Sequence, residues 1–313
     1  MSDYRVLVTD GLEEIGQAIL RSTTHVDDRS GISPEELLQV VMKYDAMIVH
    51  SRTKVTAQVF ATAEQLKVIG RAGVGVDSID LEAAQAHGVT VVNAPTSTSL
   101  AVAELTLGLM LALAREIPRA DAGMKNGEWL KEGLAGTELS GKTLGIIGMG
   151  RIGTEVGMRA TAFGMTVLGY DPLIPSEEIT RRGARPVSLD ELYANSEYIS
   201  LHLPLIDETR SMVDEQAFGW MKRGVRIVCA ARGGIIDEVA LLAALESGQV
   251  AGAALDVYAS EPPGASDLVR HPKVIATPHV GAHTAEAQSR AAEDIAHEVL
   301  AALNGEPLRW KVI

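Results

Sequence analysis

The stretch GIIGMGRIGTEVG, Gly145 to Gly157, decides the fold because it contains the glycine pattern of a phosphate-binding turn. Gly148, Gly150 and Gly153 form a G-x-G-x-x-G motif that follows an apolar run and precedes a helical pattern. In that context the first glycine permits a tight turn, the second admits a pyrophosphate to the backbone, and the third allows close helix–strand packing. The N-terminus of the following helix supplies N–H groups for the phosphates.

Asp171 ends the next apolar run and indicates which dinucleotide this turn accepts. It stands 18 residues after Gly153, in the sequence GYDP. A carboxylate at this position accepts hydrogen bonds from a ribose diol and repels a 2′-phosphate. No arginine follows it closely in DPLIP, so the sequence predicts NAD rather than NADP as the cofactor. The alternative is a glycine-rich turn that merely joins a strand to a helix.

Short apolar runs alternate with helical patterns along nearly the whole chain, which is typical of parallel strands joined by helical crossovers. The runs are YRVLV, AMIVH, LKVIG and VTVVN before the glycine motif, and MTVLGYD, YISLHLPL, VRIVCAA, VAGAALDVY and KVIATPH after it. A chain of 313 residues exceeds the usual size of one hydrophobic core. We therefore predict an α/β protein with two doubly wound parallel-sheet domains. A long apolar helix at 99–115 connects them, and the final amphipathic helix returns to the first domain.

Composition and charge exclude several classes of function. The net charge is −13 and no Lys/Arg run occurs, which argues against nucleic-acid binding. The most apolar stretch, residues 100–114, is too short to cross a bilayer, so no membrane partner is expected. One cysteine and a first segment without the features of a signal peptide predict a cytoplasmic protein.

Polar side chains follow several strands after the glycine motif, where a doubly wound sheet binds its ligands. They are His202, Arg232, Asp256, Glu261 and His279. Histidine titrates near neutral pH and suits proton transfer to a hydroxyl, a carboxylate beside it fixes its tautomer, and arginine grips a carboxylate through paired hydrogen bonds. The set predicts hydride transfer on a 2-oxo or 2-hydroxy acid. A satisfied loop residue is the favoured interpretation of His202.

Four motifs in order, GIIGMGRIG, ARGGIIDE, ALDVYASEPP and TPHVGAHTAEAQ, resemble the D-2-hydroxyacid dehydrogenase family over essentially the whole chain. The resemblance implies a central Rossmann NAD-binding domain, residues 99–283, and a discontinuous flavodoxin-like substrate domain, residues 1–98 plus 284–313. It also implies a homodimer, since the helix near 99–115 is similar to the family's dimerisation segment.

The resemblance further implies roles for individual residues. Arg232 binds the substrate carboxylate, His279 is the acid/base, and Glu261 is its partner. Asp256 contacts the nicotinamide carboxamide. The remaining residues implied to lie at the cofactor are Arg151, Ile152, Ala230 and Gly281, together with the glycines of the motif and Asp171. Cys229 and Ala230 stand where relatives often have Asn and Thr, so any side-chain contact from those positions is in question.

Within the family, SRTKVT, GRAGVGVDSID and VVNAPTSTSLAVAEL look most like members that act on D-3-phosphoglycerate. A phosphorylated substrate brings roughly two negative charges, so further cations are expected beside Arg232. Arg52 and Arg71 follow strands of the first domain, and Val74 and Gly75 lie in a turn that can present N–H groups to an anion. Either arginine is equally explained as a surface ion-pair residue. Lys131, where some relatives carry a basic residue that reaches across the dimer, is better explained as a solvated lysine.

Three functions remain open at this level. The first is oxidation of D-3-phosphoglycerate, which opens serine synthesis. The second is reduction of glyoxylate or hydroxypyruvate, which uses the same three catalytic residues with fewer cations. The third is an NAD-sensing corepressor or scaffold, for which no extra binding segment stands out.

Overall fold

The structure is a computed structural model that describes residues 3–313 in two compact units. One unit comprises the chain up to Ser99 together with Ala282–Ile313, and the other comprises Leu100–Gly281. These divisions fall one and two residues from the boundaries expected at 98/99 and 283/284. Residues 1 and 2, which the sequence analysis assigned to the first domain, lie outside the described residues.

The N-terminal unit is built on a parallel sheet of five strands. Their bounds are β1 Arg5–Val8, β2 His25–Asp28, β3 Ala46–Val49, β4 Val68–Arg71 and β5 Thr90–Asn93. The strand order is β2-β1-β3-β4-β5, and every pairing is parallel. This is the flavodoxin-like order of a doubly wound sheet. The prediction of this fold class is confirmed.

Helices cover the faces of this sheet, and three of the five begin with a side-chain cap. Their bounds are α1 Glu14–Arg21, α2 Pro34–Val40 with a 3₁₀ turn at Val41–Lys43, α3 Ala57–Thr62, α4 Leu81–Ala86 and α13 Ala285–Asn304. The start of α2 is a complete capping box, because Ser33 accepts from the N–H of Glu36 and the Glu36 carboxylate accepts from the N–H of Ser33. Asp80 caps α4 through the N–H of Ala83.

The last helix packs within the N-terminal unit against α1 and β4. Glycine is needed at both contacts, since a Cβ on Gly16 would lie 2.5 Å from the carbonyl oxygen of Ala292 and one on Gly70 would lie 2.5 Å from Val299. The fully buried Ile295 and Val299 complete this side of the core. Helix α13 therefore folds with chain segments that precede it by more than 200 residues.

The second unit contains a parallel sheet of seven strands. Their bounds are β6 Thr143–Ile147, β7 Thr166–Tyr170, β8 Arg185–Pro186, β9 Tyr198–Leu201, β10 Val225–Cys229, β11 Val250–Leu255 and β12 Val274–Ala276. The order is β12-β11-β10-β9-β6-β7-β8. The strand order reverses between β6 and β9, which is the topological switch point where this architecture binds dinucleotides.

Eight helices flank this sheet in the described chain. Their bounds are α5 Ser99–Arg115, α6 Ile117–Lys125, α7 Arg151–Ala162, α8 Ser176–Arg181, α9 Leu189–Asn195, α10 Glu215–Trp220, α11 Glu238–Glu246 and α12 Asp267–Arg270, with a 3₁₀ turn at Lys131–Gly133. Helix α5 has the bounds expected from its apolar run. Strands β2 and β8 were not predicted: the first reads HVDD and the second has two residues, so neither carries an apolar run.

Candidate active site

The glycine motif forms a tight turn from β6 into α7. Gly148 has φ +96°, and a Cβ there would lie 2.5 Å from the carbonyl oxygen of His202. A Cβ on Gly153 would lie 2.1 Å from the carbonyl oxygen of Gly148, so the helix reaches the turn only with glycine. At Gly150 the Cβ position faces open space. The turn therefore fits a dinucleotide phosphate, with Arg151 and Ile152 in the first turn of α7.

Asp171 is joined to this turn by hydrogen bonds. Its Oδ2 accepts from the N–H of Met149 at 2.9 Å, and its Oδ1 accepts from the N–H of Leu173 at 2.9 Å. The carboxylate is thereby fixed at the end of β7, where a ribose diol is expected. An arginine that the sequence analysis did not consider also reaches the turn: Arg182 Nη1 donates to the carbonyl of Met149 at 2.6 Å. Arg182 lies 33 residues from Met149 in the sequence, so no local pattern indicated this contact.

The structure brings His279 and Glu261 together. His279 Nδ1 lies 2.7 Å from Glu261 Oε2, and both side chains remain partly exposed, at 44% and 39%. The second carboxylate oxygen, Oε1, accepts from the N–H of Tyr258 at 3.1 Å. Because the N–H of Tyr258 holds one oxygen of Glu261, the other oxygen fixes the imidazole with Nδ1 toward the carboxylate. Nε2 then points away from Glu261.

Asp256 organises the segment that carries His279. Asp256 is 1% exposed and directly follows β11. Its Oδ1 accepts from Thr277 Oγ1 at 2.6 Å and from the N–H of Val280 at 2.9 Å, while Oδ2 accepts from the N–H of Gly281 at 2.8 Å. His279 itself has φ +53°, in the left-handed region. The buried carboxylate therefore grips this unusual turn on both sides of the histidine.

Arg232 follows β10, and its loop packs on the loop that carries Glu261. A Cβ on the neighbouring Gly233 would lie 1.8 Å from the carbonyl oxygen of Tyr258, so the two backbones touch. Arg232 Nη1 donates to the carbonyl of Ala231 at 2.6 Å. The loops after β10 and β11 are thus in contact, and Glu261 links the second of them to His279. These contacts join the three predicted catalytic residues into one continuous group of loops.

Near these strand ends, Cys229 and Ala230 are buried and His202 is partly buried. His202 Nε2 lies 2.7 Å from Ser200 Oγ, and burial lowers the pKa of its imidazole to about 3, so it stays neutral. Burial raises the pKa of the Cys229 thiol to about 11. Ala230, the first residue after β10, is 9% exposed. His202 Nδ1 is buried with no hydrogen-bond partner within the described residues, so the interpretation of His202 as a satisfied loop residue holds for Nε2 only.

The predicted phosphate-binding residues lie in the N-terminal unit. Arg52 is engaged by its own unit: Nη2 lies 3.1 Å from Asp10 Oδ1 and donates to the carbonyl of Thr9, and Nη1 donates to the carbonyl of Ile32. Arg71 ends β4, and its Nη1 donates to the carbonyl of Ala72 at 2.9 Å.

The turn that contains Val74 and Gly75 follows β4 directly. Gly73 has φ +142°, and its carbonyl accepts from the N–H of Ala94 at 2.9 Å. Asn93 Nδ2 donates to the carbonyl of Val74 at 2.7 Å. The carbonyls of Gly73 and Val74 therefore both accept from the segment that ends β5.

Lys131 lies exposed in the short turn at Lys131–Gly133 of the other unit. Over residues 3–313, no group of His, Cys, Asp or Glu has the arrangement of a metal site. Within the same residues no helix is both long enough and apolar enough to span a membrane.

Comparisons with known proteins identify the family of this chain. Residues 107–281 match the family model described as "D-isomer specific 2-hydroxyacid dehydrogenase, NAD binding domain". The chain is 48% identical over 305 residues to a D-3-phosphoglycerate dehydrogenase of Rattus norvegicus, covering 97% of this chain and 57% of that protein. It is 49% identical over 303 residues to the D-3-phosphoglycerate dehydrogenase of Methanocaldococcus jannaschii, covering 96% and 58%. The chain thus spans less than two thirds of these relatives.

Among solved structures, a glyoxylate reductase from Paecilomyes thermophila superposes with a TM-score of 0.90 at 32% identity, covering 100% of this chain and 99% of that one. The glycine turn, the Asp171 carboxylate bound to it and the His279–Glu261 pair fit a nicotinamide dinucleotide-dependent dehydrogenase. The chain belongs to the D-isomer specific 2-hydroxyacid dehydrogenase family. Its cofactor is NAD, as the matched domain and the carboxylate of Asp171 both indicate.

Proposed function

We propose that this chain oxidises D-3-phosphoglycerate to 3-phosphohydroxypyruvate, the first step of serine biosynthesis. The observation that carries the proposal is the pair His279–Glu261, 2.7 Å apart, on a turn gripped by Asp256. His279 takes the proton of the substrate hydroxyl, and Glu261 stabilises the imidazolium that results. NAD would supply the hydride acceptor for the carbon that bears this hydroxyl. Loss of the hydroxyl proton and of that hydride converts the hydroxyl into a carbonyl.

Arg232 is proposed to bind the carboxylate of the substrate and to polarise the adjacent oxygen as the carbonyl forms. At the cofactor, Asp256 Oδ2 accepts only one hydrogen bond within the described residues, from Gly281, so one lone pair remains for the nicotinamide carboxamide. The absence of a side chain at Gly281 suits this approach. We propose Ala230 as a backbone neighbour of the cofactor, since its side chain offers no polar atom.

For the substrate phosphate we propose Arg71 and the N–H groups of Val74 and Gly75, with Arg52 contributing charge. Supporting this, Arg71 ends a strand of a doubly wound sheet and Gly73 shapes the next turn with a positive φ. The names of the two relatives described above favour a phosphorylated substrate. In the test, Arg71→Ala raises the KM for phosphoglycerate far more than the KM for hydroxypyruvate. Lys54→Ala, which removes an exposed cation, is the matched control.

Reduction of glyoxylate or hydroxypyruvate is the second candidate. It is favoured by the state of Arg52, whose guanidinium is already bound by Asp10 and two backbone carbonyls. A substrate without phosphate needs no further cation. Initial rates with 3-phosphoglycerate, hydroxypyruvate and glyoxylate, each with NAD(H) and NADP(H), separate the two candidates. A protein that binds NADH tightly and turns over none of them would instead be a nucleotide-sensing corepressor or scaffold.

The acid/base role is tested separately. We expect His279→Gln to reduce kcat by about a thousandfold or more while the Kd of NADH stays within a few-fold of its original value. His271→Gln, directly after α12 in the same unit, is the control and keeps its activity. Unchanged kcat in the His279 variant would overturn the proposed mechanism.

We also propose that the enzyme is a cytoplasmic homodimer. The surface of α6 supports a dimer, because Ile117 and Met124 are half-exposed beside a groove of about 410 Å³ and Trp129 is 77% exposed. Light scattering on a Trp129→Ser variant tests this. If the dimer forms through this surface, the variant dissociates into monomers at a higher protein concentration than the unmodified protein. The single cysteine, Cys229, is buried and unpaired, which suits a reducing compartment. Cell fractionation tests that assignment.

A further inference from the structure

Two charged side chains hydrogen-bond to the backbone of the same residue of the phosphate turn. The Asp171 carboxylate accepts from the N–H of Met149, and the Arg182 guanidinium donates to the carbonyl of Met149. Both groups therefore bond to the backbone of one residue of the turn, the carboxylate to its N–H and the guanidinium to its carbonyl. The pair places an anion and a cation at the part of the site where NAD and NADP differ.

Arg182 is held in this position by Glu178. Its Nε donates to Glu178 Oε1 at 2.8 Å, and the side chain is 30% exposed. The hydrogen bond from Arg182 lowers the pKa of the Glu178 carboxyl, so this partner remains charged. Within the described residues, no hydrogen bond is made by Arg182 Nη2. The guanidinium is thus fixed by two bonds and keeps donors that a ligand can reach.

We propose that Arg182 is a second determinant of cofactor selectivity, a cation placed to bind a 2′-phosphate and prevented from doing so by the Asp171 carboxylate. The inference deepens the proposed function at its cofactor site and rests on that part alone. Like-charge repulsion between a 2′-phosphate and Asp171 outweighs attraction to Arg182, whose charge is already offset by Glu178. Removing the Asp171 charge reverses the balance, since guanidinium binds phosphate through charge-assisted hydrogen bonds.

The neighbouring Arg181 provides a matched control. Its Nη2 lies 2.8 Å from Glu178 Oε2, so it pairs with the same carboxylate. Its side chain is 75% exposed, and no contact to the phosphate turn is made by it in the described chain. Replacing either arginine by leucine removes one positive charge from Glu178. Only the Arg182 change removes the bond to Met149.

The experiment measures the Kd of NADH and of NADPH by fluorescence titration, without substrate, for Asp171→Ser alone and combined with Arg182→Leu or Arg181→Leu. Asp171→Ser is expected to tighten NADPH binding by about tenfold or more, an effect that weakens in high salt. The double variant with Arg182→Leu loses this gain, and the one with Arg181→Leu retains it. Asp171→Asn, which preserves side-chain size, repeats the comparison if the serine variant folds poorly.

Three results would overturn the inference: no gain in NADPH affinity on removal of the Asp171 charge, a gain that survives Arg182→Leu, or a gain lost equally with Arg181→Leu. If Arg182 acts on the 2′-phosphate and not on the shape of the turn, the loss of NADH affinity in the Asp171→Ser variant is similar to the loss in both double variants. Because only binding is measured, a failure of the phosphoglycerate assignment would appear in the substrate assays and leave these Kd ratios unchanged.

Discussion

Replacing Asp256 by asparagine is expected to destabilise the loops that follow β11 and β12 and to displace His279. The buried carboxylate accepts three hydrogen bonds, from Thr277 Oγ1, Val280 N and Gly281 N. An asparagine keeps one acceptor oxygen and turns an NH₂ group toward an N–H, so at least one buried donor loses its partner. A lost partner costs about 1–3 kcal/mol, and the surviving bonds lose their charge assistance. We expect a total loss of about 2–4 kcal/mol in the free energy of unfolding.

The loss acts on a turn that already bears backbone strain. A non-glycine residue in the left-handed region costs roughly 1–2 kcal/mol, and His279 has φ +53°. With the grip on the neighbouring residues weakened, this turn relaxes and the imidazole moves away from Glu261. We therefore also expect kcat to fall by about tenfold to a hundredfold, since small misplacements of a reacting group are costly.

Urea unfolding followed by circular dichroism, together with kcat, provides the assay. For a slope of about 2–3 kcal/mol per molar urea, the midpoint drops by roughly 1 M. Asp190→Asn, an exposed position in the first turn of α9 with the same change in charge, is the control and shifts the midpoint little. A midpoint and a kcat for Asp256→Asn that match those of the control would refute the reasoning that Asp256 holds the turn.

Two further predictions follow from close contacts in the two units. Gly153→Ala places a Cβ 2.1 Å from a backbone oxygen, so we expect NADH affinity to fall by about tenfold or more in a titration, whereas Gly157→Ala meets only side-chain atoms at 3.3 Å and beyond and retains it. Burial raises the pKa of Asp10, but hydrogen bonds from Thr53 and His50 and the charge of Arg52 outweigh it, so the folded pKa lies below 3.8. The stabilisation is therefore present above that pH and is lost as the pH falls through the lower folded pKa. Asp10→Asn should accordingly reduce the free energy of unfolding more at pH 6 than at a pH well below 3.8, and an equal effect at both pH values would contradict this account.

Local patterns predicted most elements because each carries its own signal in a short window. The bounds of α5 and the capping box of α2 follow from the apolar run at 99–115 and from Ser33 and Glu36. Strand β2 escaped because it lies at the edge of its sheet and reads HVDD, with charges that tolerate exposure. Its pairing with β1 arises from the sheet and not from its own composition.

The candidate site divides in the same way. Residue types at strand ends, above all Arg232, Glu261 and His279, were apparent from the order of apolar runs and polar residues. The hydrogen bonds by which Asp256 fixes the turn of His279 were not apparent from the sequence, because their three donors lie more than 20 residues further along the chain. Arg182 was overlooked for a similar reason, since its bond to Met149 depends on how α8 packs beside the phosphate turn.

By itself the sequence determined the alternation of strands and helices, the dinucleotide turn and the kinds of side chain available for chemistry, since propensity, glycine spacing and charge act over a few neighbouring residues. Only the tertiary structure decided which of those side chains meet. Glu261 pairs with His279, Asp256 fixes the turn and Arg52 is bound by Asp10, because hydrogen bonds and ion pairs depend on distances of about 3 Å between atoms whose separation in the chain says nothing about their separation in space.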